Sequence, residues 1–349
     1  MLNKEVKYGL KDIAIVPASV SNINSRSECN PYYSSGFLPL FTAPMSSVVD
    51  LNNYKLFKDN KITPIIPRNI DFKIRKEMCS EIWCAFSMKE FYDMCLYCEF
   101  DEGKHYALVD IANGNIPDLI NTIRKAKRNY GDNLQIMAGN IANPDTYVAL
   151  SEAGTDLIRC GIGGGNGCIT SSNTGINYPM ASLIDECFQA SLKLKNPAKI
   201  IADGGIKGFS DAIKCLALGA DYVQIGSVFN KMLESAGETI INNGGTYEIA
   251  NQYSEAVLKS FKNGICLYKT FYGMSTKKAQ KELGNTKLKT SEGIERIQEV
   301  EYTMSQWIEN FTDYLKSAMS YTNSKTLADF IGEVQTIVIS QTAQDAINK

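Results

Sequence analysis

Eight short apolar runs alternating with helix-like stretches predict an α/β fold, a (β/α)8 barrel in a single domain. Three observations carry this expectation. The runs number eight, which suits a closed barrel better than an open sheet. Most segments between them have helical character. Each run ends on small, polar or glycine residues, as loops gathered on one barrel face require. In order, the expected strands are Phe37–Thr42, Ile62–Ile66, Glu81–Phe86, His105–Asp110, Leu134–Ala138, Thr155–Arg159, Lys199–Ala202 and Asp221–Ile225.

The helices follow from spacing and caps. Ile116–Arg128 has apolar residues at 116, 119, 120 and 123, one face of a helix. Asn143–Ala153 opens with Asn-Pro-Asp, an N-cap followed by proline in the first turn, and Ser210–Leu218 follows the same logic. The first 35 residues are polar and read as loop. Tyr268–Glu301 is charged and the least regular stretch, either a mobile flap over the barrel mouth or an ordinary surface loop. Met304–Leu315 and Thr326–Ile339 are expected as helices packed outside the barrel.

Composition narrows the function. The net charge is −2 over 349 residues, so bulk charge draws the chain to neither nucleic acid nor membrane. No apolar run approaches a membrane span, and the first residues lack a signal peptide's apolar core. Ten scattered cysteines then read as free thiols of a cytoplasmic protein. Cys95 and Cys98 form a C-x-x-C with no second pair at zinc spacing. One histidine, His105, is too few for a histidine metal cluster and an unpromising start for a Ser-His-Asp triad.

Five stretches bear chemistry. Ile158–Gly175 reads I-R-C-G-I-G-G-G-N-G-C-I-T-S-S-N-T-G, with Cys168 at the tip of a glycine-rich loop. It reads as a nucleophilic thiol held by backbone beside an ion nest, or as a flexible loop with an incidental cysteine. Thr170 is placed to hold a water or leaving group at the same centre. In I-A-D-G-G-I, Asp203 at a strand end suits two ribose hydroxyls, and Gly204 and Gly205 open onto a helix whose N–H groups suit phosphate. Gly226-Ser227 repeats the idea after the next strand, where barrels often bind phosphate; a pair of tight turns is the plainer reading. In V-D-I-A-N-G, Asp110 and Asn113 are positioned to orient a ring amide. Phe271-Tyr272-Gly273-Met274-Ser275 precedes Glu292, a carboxylate for general acid or base work on a closing flap.

Together these stretches resemble the purine-nucleotide barrels of the IMP dehydrogenase and GMP reductase family. G-I-G-G-G-N-G-C-I-T resembles that family's G-I-G-P-G-S-x-C-x-T loop, and D-G-G at 203–205, G-S at 226–227 and G-M-S at 273–275 follow in order. V-D-I-A-N-G-N, I-M-A-G-N and F-Y-G-M-S resemble the reductase more than the dehydrogenase. The link from the second strand to the third is too short for the CBS pair that many dehydrogenases carry. The resemblance implies a TIM barrel, usually a homotetramer, acting on a purine nucleoside 5′-monophosphate with NADPH and K⁺.

The same resemblance implies roles residue by residue. Cys168 would attack C2 of the purine, with Thr170 and Glu292 moving protons. Asp203, Gly204, Gly205, Gly226, Ser227, Gly273, Met274, Ser275, Lys289, Ser291 and Gly293 would hold the nucleotide. Arg68, Asp110, Ile111, Ala112, Ile162 and Gly163 would meet the cofactor. Ser25 and Arg26, with Ser317 and Ser320, would meet it from a neighbouring subunit. Carbonyls of Gly163, Gly165 and Cys168 would bind K⁺. The chain departs from the family pattern at Ser46, Gly164, Asn166, Ser171, Lys289 and Tyr302-Thr303-Met304. Three readings stay open: reductive deamination of GMP to IMP, oxidation of IMP to XMP with NAD, and a non-catalytic purine-nucleotide-binding barrel. The flap lacks the Arg-Tyr pair with which dehydrogenases of the family activate water.

Overall fold

The computed structural model describes residues 4–97, 103–165, 167–243, 245–284 and 286–347. Eight parallel strands form its centre: β1 Leu40–Thr42, β2 Ile65–Ile66, β3 Trp83–Phe86, β4 His105–Asp110, β5 Leu134–Ile141, β6 Leu157–Cys160, β7 Lys199–Asp203 and β8 Tyr222–Ile225. Their order in the sheet is β1-β8-β7-β6-β5-β4-β3-β2. A parallel bridge from Phe41 to Thr63 joins the two ends and closes the barrel. All eight expected strands are present. The expected helices are there too, as Pro117–Tyr130, Pro144–Glu152 and Phe209–Ala217.

Strand alternation sorts the side chains into two cores. Phe41, Ile65, Trp83, Ala85, Leu108, Met137, Leu157 and Ile201 make one cluster inside the barrel. Their neighbours in the chain, such as Cys84, Val109, Ile158 and Ala202, pack outward in the cluster that the helices cover. The period of two has a further consequence. Two residues beyond Leu108, Leu157 and Ile201 stand Asp110, Arg159 and Asp203. These polar groups therefore form a layer over the apolar interior at the carboxyl ends of the strands. At the opposite end Phe41, Trp83, Tyr106 and Tyr222 pack ring against ring, with Lys199 over the Tyr33 and Tyr222 rings. A cavity of 1320 Å³ opens there. None of the expected site residues lines it.

Four expectations are corrected. The first 35 residues are not all loop: Ile13–Ile15 is a strand, paired antiparallel with Thr336–Val338. Correspondingly, Thr326–Ile339 is not one helix; only Leu327–Phe330 is helical. Gly332, at φ +71°, ends that turn, and the β-branched run Thr336-Ile337-Val338 takes the strand partner. The stretch expected to be least regular carries two strands and a helix over about half its length. It contributes β11 Leu267–Tyr272, the helix Lys277–Glu282 and β12 Glu295–Glu299. With β9 Thr239–Asn243 and β10 Thr246–Ala250 these form an antiparallel sheet ordered β10-β9-β11-β12. The helix expected over Met304–Leu315 runs further, Met304–Tyr321, started by a reciprocal Thr303–Gln306 cap. Cys98 of the C-x-x-C lies outside the described residues, and Cys95 is buried.

Lys269 on β11 roots this sheet in the barrel. It is fully buried, and its Nζ donates to the Ser235 carbonyl (2.7 Å) and the Gly237 carbonyl (3.1 Å). Burial pushes its ammonium down to about 7 from 10.5, against the pull of Glu234 and Asp50. Between those values the unfolded chain binds more protons than the folded one, so this group makes stability rise with pH across that window. Lys269→Met is expected to remove that rise. The check is the difference in urea midpoint between variant and parent from about pH 6 to about pH 10.

Candidate active site

The glycine loop leaves β6 and closes on two neighbours. Gly161, at φ +140°, passes so near β7 that a Cβ there would stand 2.0 Å from the Asp203 carbonyl oxygen. No other residue fits that approach. Further on, Cys168 pairs with Gly293 in an antiparallel bridge. The Ile169 N–H donates to the Glu292 carbonyl (2.8 Å), and the Ile294 N–H donates to the Gly167 carbonyl (3.0 Å). The loop and the segment leading into β12 are thus one short ribbon, although over 120 residues separate them.

That ribbon aligns three functional groups. The Cys168 thiol donates to Thr170 Oγ1 at 3.1 Å, and the Thr170 hydroxyl donates to Glu292 Oε2 at 2.6 Å. The line runs thiol, hydroxyl, carboxylate. Among the nine described thiols only Cys168 and Cys266 escape burial. Cys84 and Cys215 are pushed up by burial, and Cys160 first by its hydrogen bond with Cys187 and then by burial, which leaves them inert.

Around this line lies a cavity of 690 Å³, a volume suited to a nucleotide-sized ligand. Cys168, Thr170 and Glu292 line it, as do Asp203, Gly204, Gly205, Gly226, Ser227, Gly273, Met274 and Ser275. Arg68, Asp110, Ile111, Ala112, Ile162, Gly163 and Gly165 line it as well. Lys289, Ser291 and Gly293 do not. Lys289 is exposed, with its backbone clasped by the Gln280 carboxamide (2.7 and 3.2 Å). Ser291 Oγ donates to the Gly293 carbonyl (2.7 Å), and Gly293 acts through its backbone bridge. Ser25, Arg26, Ser317 and Ser320 lie outside the cavity. Arg26 pairs there with Asp313 (2.8 Å) and donates to Ser317 Oγ (3.3 Å).

The polar layer at the strand ends forms the cavity floor. Arg159, nearly fully buried, sits 2.6 Å from Asp110 Oδ1 and 3.9 Å from Asp203 Oδ2. It also donates to the Gly139 carbonyl (3.0 Å). Asn140 Nδ2 donates to Asp203 Oδ2 (2.7 Å) and to the Gly161 carbonyl (2.8 Å). Arg68 donates to the Asp110 carbonyl (2.9 Å). Burial pushes the Asp203 carboxyl above the usual range, against Arg159 and Asn140, while Asp110 adds to the rise. Gln224, a buried lining residue, has an Oε1 atom with no protein partner, the kind of group that a ligand satisfies.

Sequence reasoning missed Arg159, Asn140, Gln224 and the contacts of Ser46. Arg159 had a signal, a cation one residue from the end of an apolar strand. Ser46 Oγ donates to Glu282 Oε2 (2.7 Å), and the Tyr272 hydroxyl donates to Glu282 Oε1 (2.8 Å). This ties the helix Lys277–Glu282 to the loop after β1. The Gly163 and Gly165 carbonyls each accept one internal bond, from Ser171 Oγ and from the Cys168 N–H, both at 2.9 Å. Each keeps a second lone pair, and the described loop holds no carboxylate, a donor set that fits a large monovalent cation. No helix among the described residues is long and apolar enough to cross a membrane.

A closed parallel barrel with a thiol, a hydroxyl and a carboxylate in line at the carboxyl ends of its strands has the architecture of a barrel enzyme. The sequence model of the IMP dehydrogenase / GMP reductase domain matches residues 99–347, and the chain belongs to that family. It is 28% identical to a GMP reductase of Shouchella clausii over 357 aligned positions, covering 95% of each chain. It is 32% identical to a GMP reductase of Bacillus thuringiensis over 257, covering 69% of this chain and 76% of the relative. With an inosine-5′-monophosphate dehydrogenase of Chlorobaculum tepidum it shares 32% over 227, which is 44% of that protein.

The raised Asp203 carboxyl makes a stability prediction. Above its folded pKa the ionised, half-buried group costs stability; below the ordinary carboxylate value of about 3.9 both states hold the proton and the cost is gone. Asp203→Asn is expected to raise the melting temperature near neutral pH, with the gain shrinking towards pH 4. A series of melts on variant and parent from pH 8 downward checks the sign.

Proposed function

We propose that the protein is a GMP reductase-like oxidoreductase that uses NADPH to convert GMP to IMP and ammonia. The observation that carries this reading is the line from Cys168 through Thr170 to Glu292. Coverage of 95% of a GMP reductase, end to end, favours this activity over the dehydrogenase reading, whose relative is matched over less than half its length.

The thiol gives its proton to Glu292 through the Thr170 hydroxyl, and the thiolate attacks C2 of the purine. Glu292 then returns the proton through Thr170 to the C2 amino group. The C2–N bond breaks, ammonia leaves, and a thioimidate joins Cys168 to the base. When bound, the reduced nicotinamide supplies the hydride that C2 needs. The C2–S bond then breaks to free IMP and the thiolate, which takes up a proton again. Asp203 holds the ribose hydroxyls, and the turns at Gly204-Gly205 and Gly226-Ser227 hold the 5′-phosphate. Arg68, Ile111 and Ala112 form the wall on which the nicotinamide would rest. Gly163, Gly165 and Cys168 carbonyls would hold K⁺, which steadies the loop. Ser25, Arg26, Ser317 and Ser320 would complete the cofactor site of a neighbouring subunit in a homotetramer.

The test is loss of absorbance at 340 nm with NADPH, K⁺ and GMP, with release of ammonia. Cys168→Ala is expected to abolish turnover and leave GMP binding in place. Glu292→Gln is expected to slow it by about 10²–10⁴-fold, the usual loss on removing a general acid or base. Reduction of NAD⁺ by IMP, without oxidation of NADPH by GMP, would reverse the assignment in favour of a dehydrogenase. Normal turnover by Cys168→Ala would overturn both enzymatic readings.

A further inference from the structure

Two buried carboxamides outside the cavity join the turn at Gly226-Ser227 to the segment that carries Glu292. Gln298 lies on β12, six residues after Glu292. Its Nε2 donates to the Ser227 carbonyl (3.1 Å) and to Asn230 Oδ1 (2.5 Å). Asn230 ends the short helix Ser227–Asn230 and is fully buried. Its Nδ2 donates to the Ser47 carbonyl after β1 (2.6 Å) and to the Thr270 carbonyl on β11 (3.1 Å). Both N–H bonds of each carboxamide are therefore spent, and every acceptor is fixed in the barrel rim or the antiparallel sheet. No charge takes part, so this link depends on geometry alone.

The network has two ends. One is the backbone of the Gly226-Ser227 turn, which lines the cavity. The other is β12, whose register sets the ribbon between Gly293 and Cys168. Gln298 keeps both bonds only when the Ser227 carbonyl and the Asn230 amide are in place together. A buried amide that loses its acceptor is costly, so the turn and β12 are held to one joint arrangement. Binding energy from a remote, unreacting part of a substrate raises the rate when it is used to place a reacting group. A 5′-phosphate on the turn is such a remote part.

We infer that Asn230 and Gln298 are positioning residues that convert occupation of the Gly226-Ser227 turn by a 5′-phosphate into placement of Glu292 beside Thr170. This inference rests on the GMP reductase reading of the cavity. It requires that the phosphate of the substrate act on kcat and not only on KM.

The experiment compares GMP with guanosine on the parent protein and on Gln298→Met, which keeps the bulk of the side chain and removes its donors. With the parent, kcat for GMP is expected to exceed kcat for guanosine. In Gln298→Met, kcat for GMP is expected to fall on the order of 100-fold, the scale of a small misplacement of a catalytic group. The dissociation constant for GMP stays within a few fold, and the advantage of GMP over guanosine in kcat disappears. A rise in KM alone would overturn the inference, because a merely structural or binding role gives that pattern. Hydrogen exchange on the parent protein needs no variant: GMP, and not guanosine, should slow exchange at the amides of Ile169 and Ile294. Equal protection by the two ligands, with turnover of GMP intact, overturns the coupling alone. Phosphate-dependent protection without turnover overturns the GMP reductase reading and leaves the coupling standing.

Discussion

The pairing of Cys168 with Gly293 is the constraint on which the site depends. Two backbone hydrogen bonds across it, at 2.8 and 3.0 Å, bring Glu292 to the hydroxyl of Thr170. Neither partner is rigid by itself. The loop is glycine-rich, and the segment from Lys289 to Gly293 leans on the Gln280 carboxamide and the Ser291 hydroxyl. Paired, each supplies the other's missing ladder bonds, the requirement that any buried backbone must meet. The close packing of Gly273 against the Gly167 carbonyl, where a Cβ would stand 2.6 Å away, keeps β11 in the same assembly.

A second constraint is electrostatic. Asp110 and Asp203 both stand at the cavity floor, and Arg159 lies between them at 2.6 and 3.9 Å. One guanidinium thus lets two carboxylates share a half-closed pocket. Removing Arg159, the buried member, would leave both carboxylates without their counter-charge, typically at about 3–5 kcal/mol. Asn140 adds a neutral donor to Asp203 without adding charge. The floor is therefore rigid and polar, while the lid over it is held by backbone bonds and amides. Stability and chemistry are divided between them: the barrel interior gains from burial, and the rim accepts the raised carboxyl of Asp203 in order to present it to a ligand.

Much of this was legible in the chain. The eight strands emerge from apolar runs because each strand must bury side chains on both faces, and the helices emerge from caps and spacing. Cys168, Thr170, Asp203 and the two glycine turns stand out because backbone approach and thiol chemistry need particular residue types. The antiparallel sheet was harder. Its sequence holds an Asn-Asn-Gly-Gly run at 242–245, a turn signal that could have been read. Its exposed face, with Tyr247 and Ile249, blurs the alternation that marks a half-buried strand. Thr326–Ile339 failed for a different reason: its β-branched end serves as a strand only because Ile13–Ile15, more than 320 residues away, offers an edge.

The sequence by itself determined the barrel, the loop that exposes one thiol, and the residue types at the strand ends, since these follow from local periodicity and from what glycine and cysteine permit. Only the tertiary structure decided which distant residues meet. Arg159 becomes the counter-charge of both Asp110 and Asp203 through closure of the barrel, and Glu292 becomes the partner of Thr170 through the bridge at Gly293. Lys289, which the resemblance had placed beside the nucleotide, lies outside the cavity. Periodicity fixes the face on which a side chain lies. The distance between two such side chains depends on how the whole chain closes, and that is a property of no single segment.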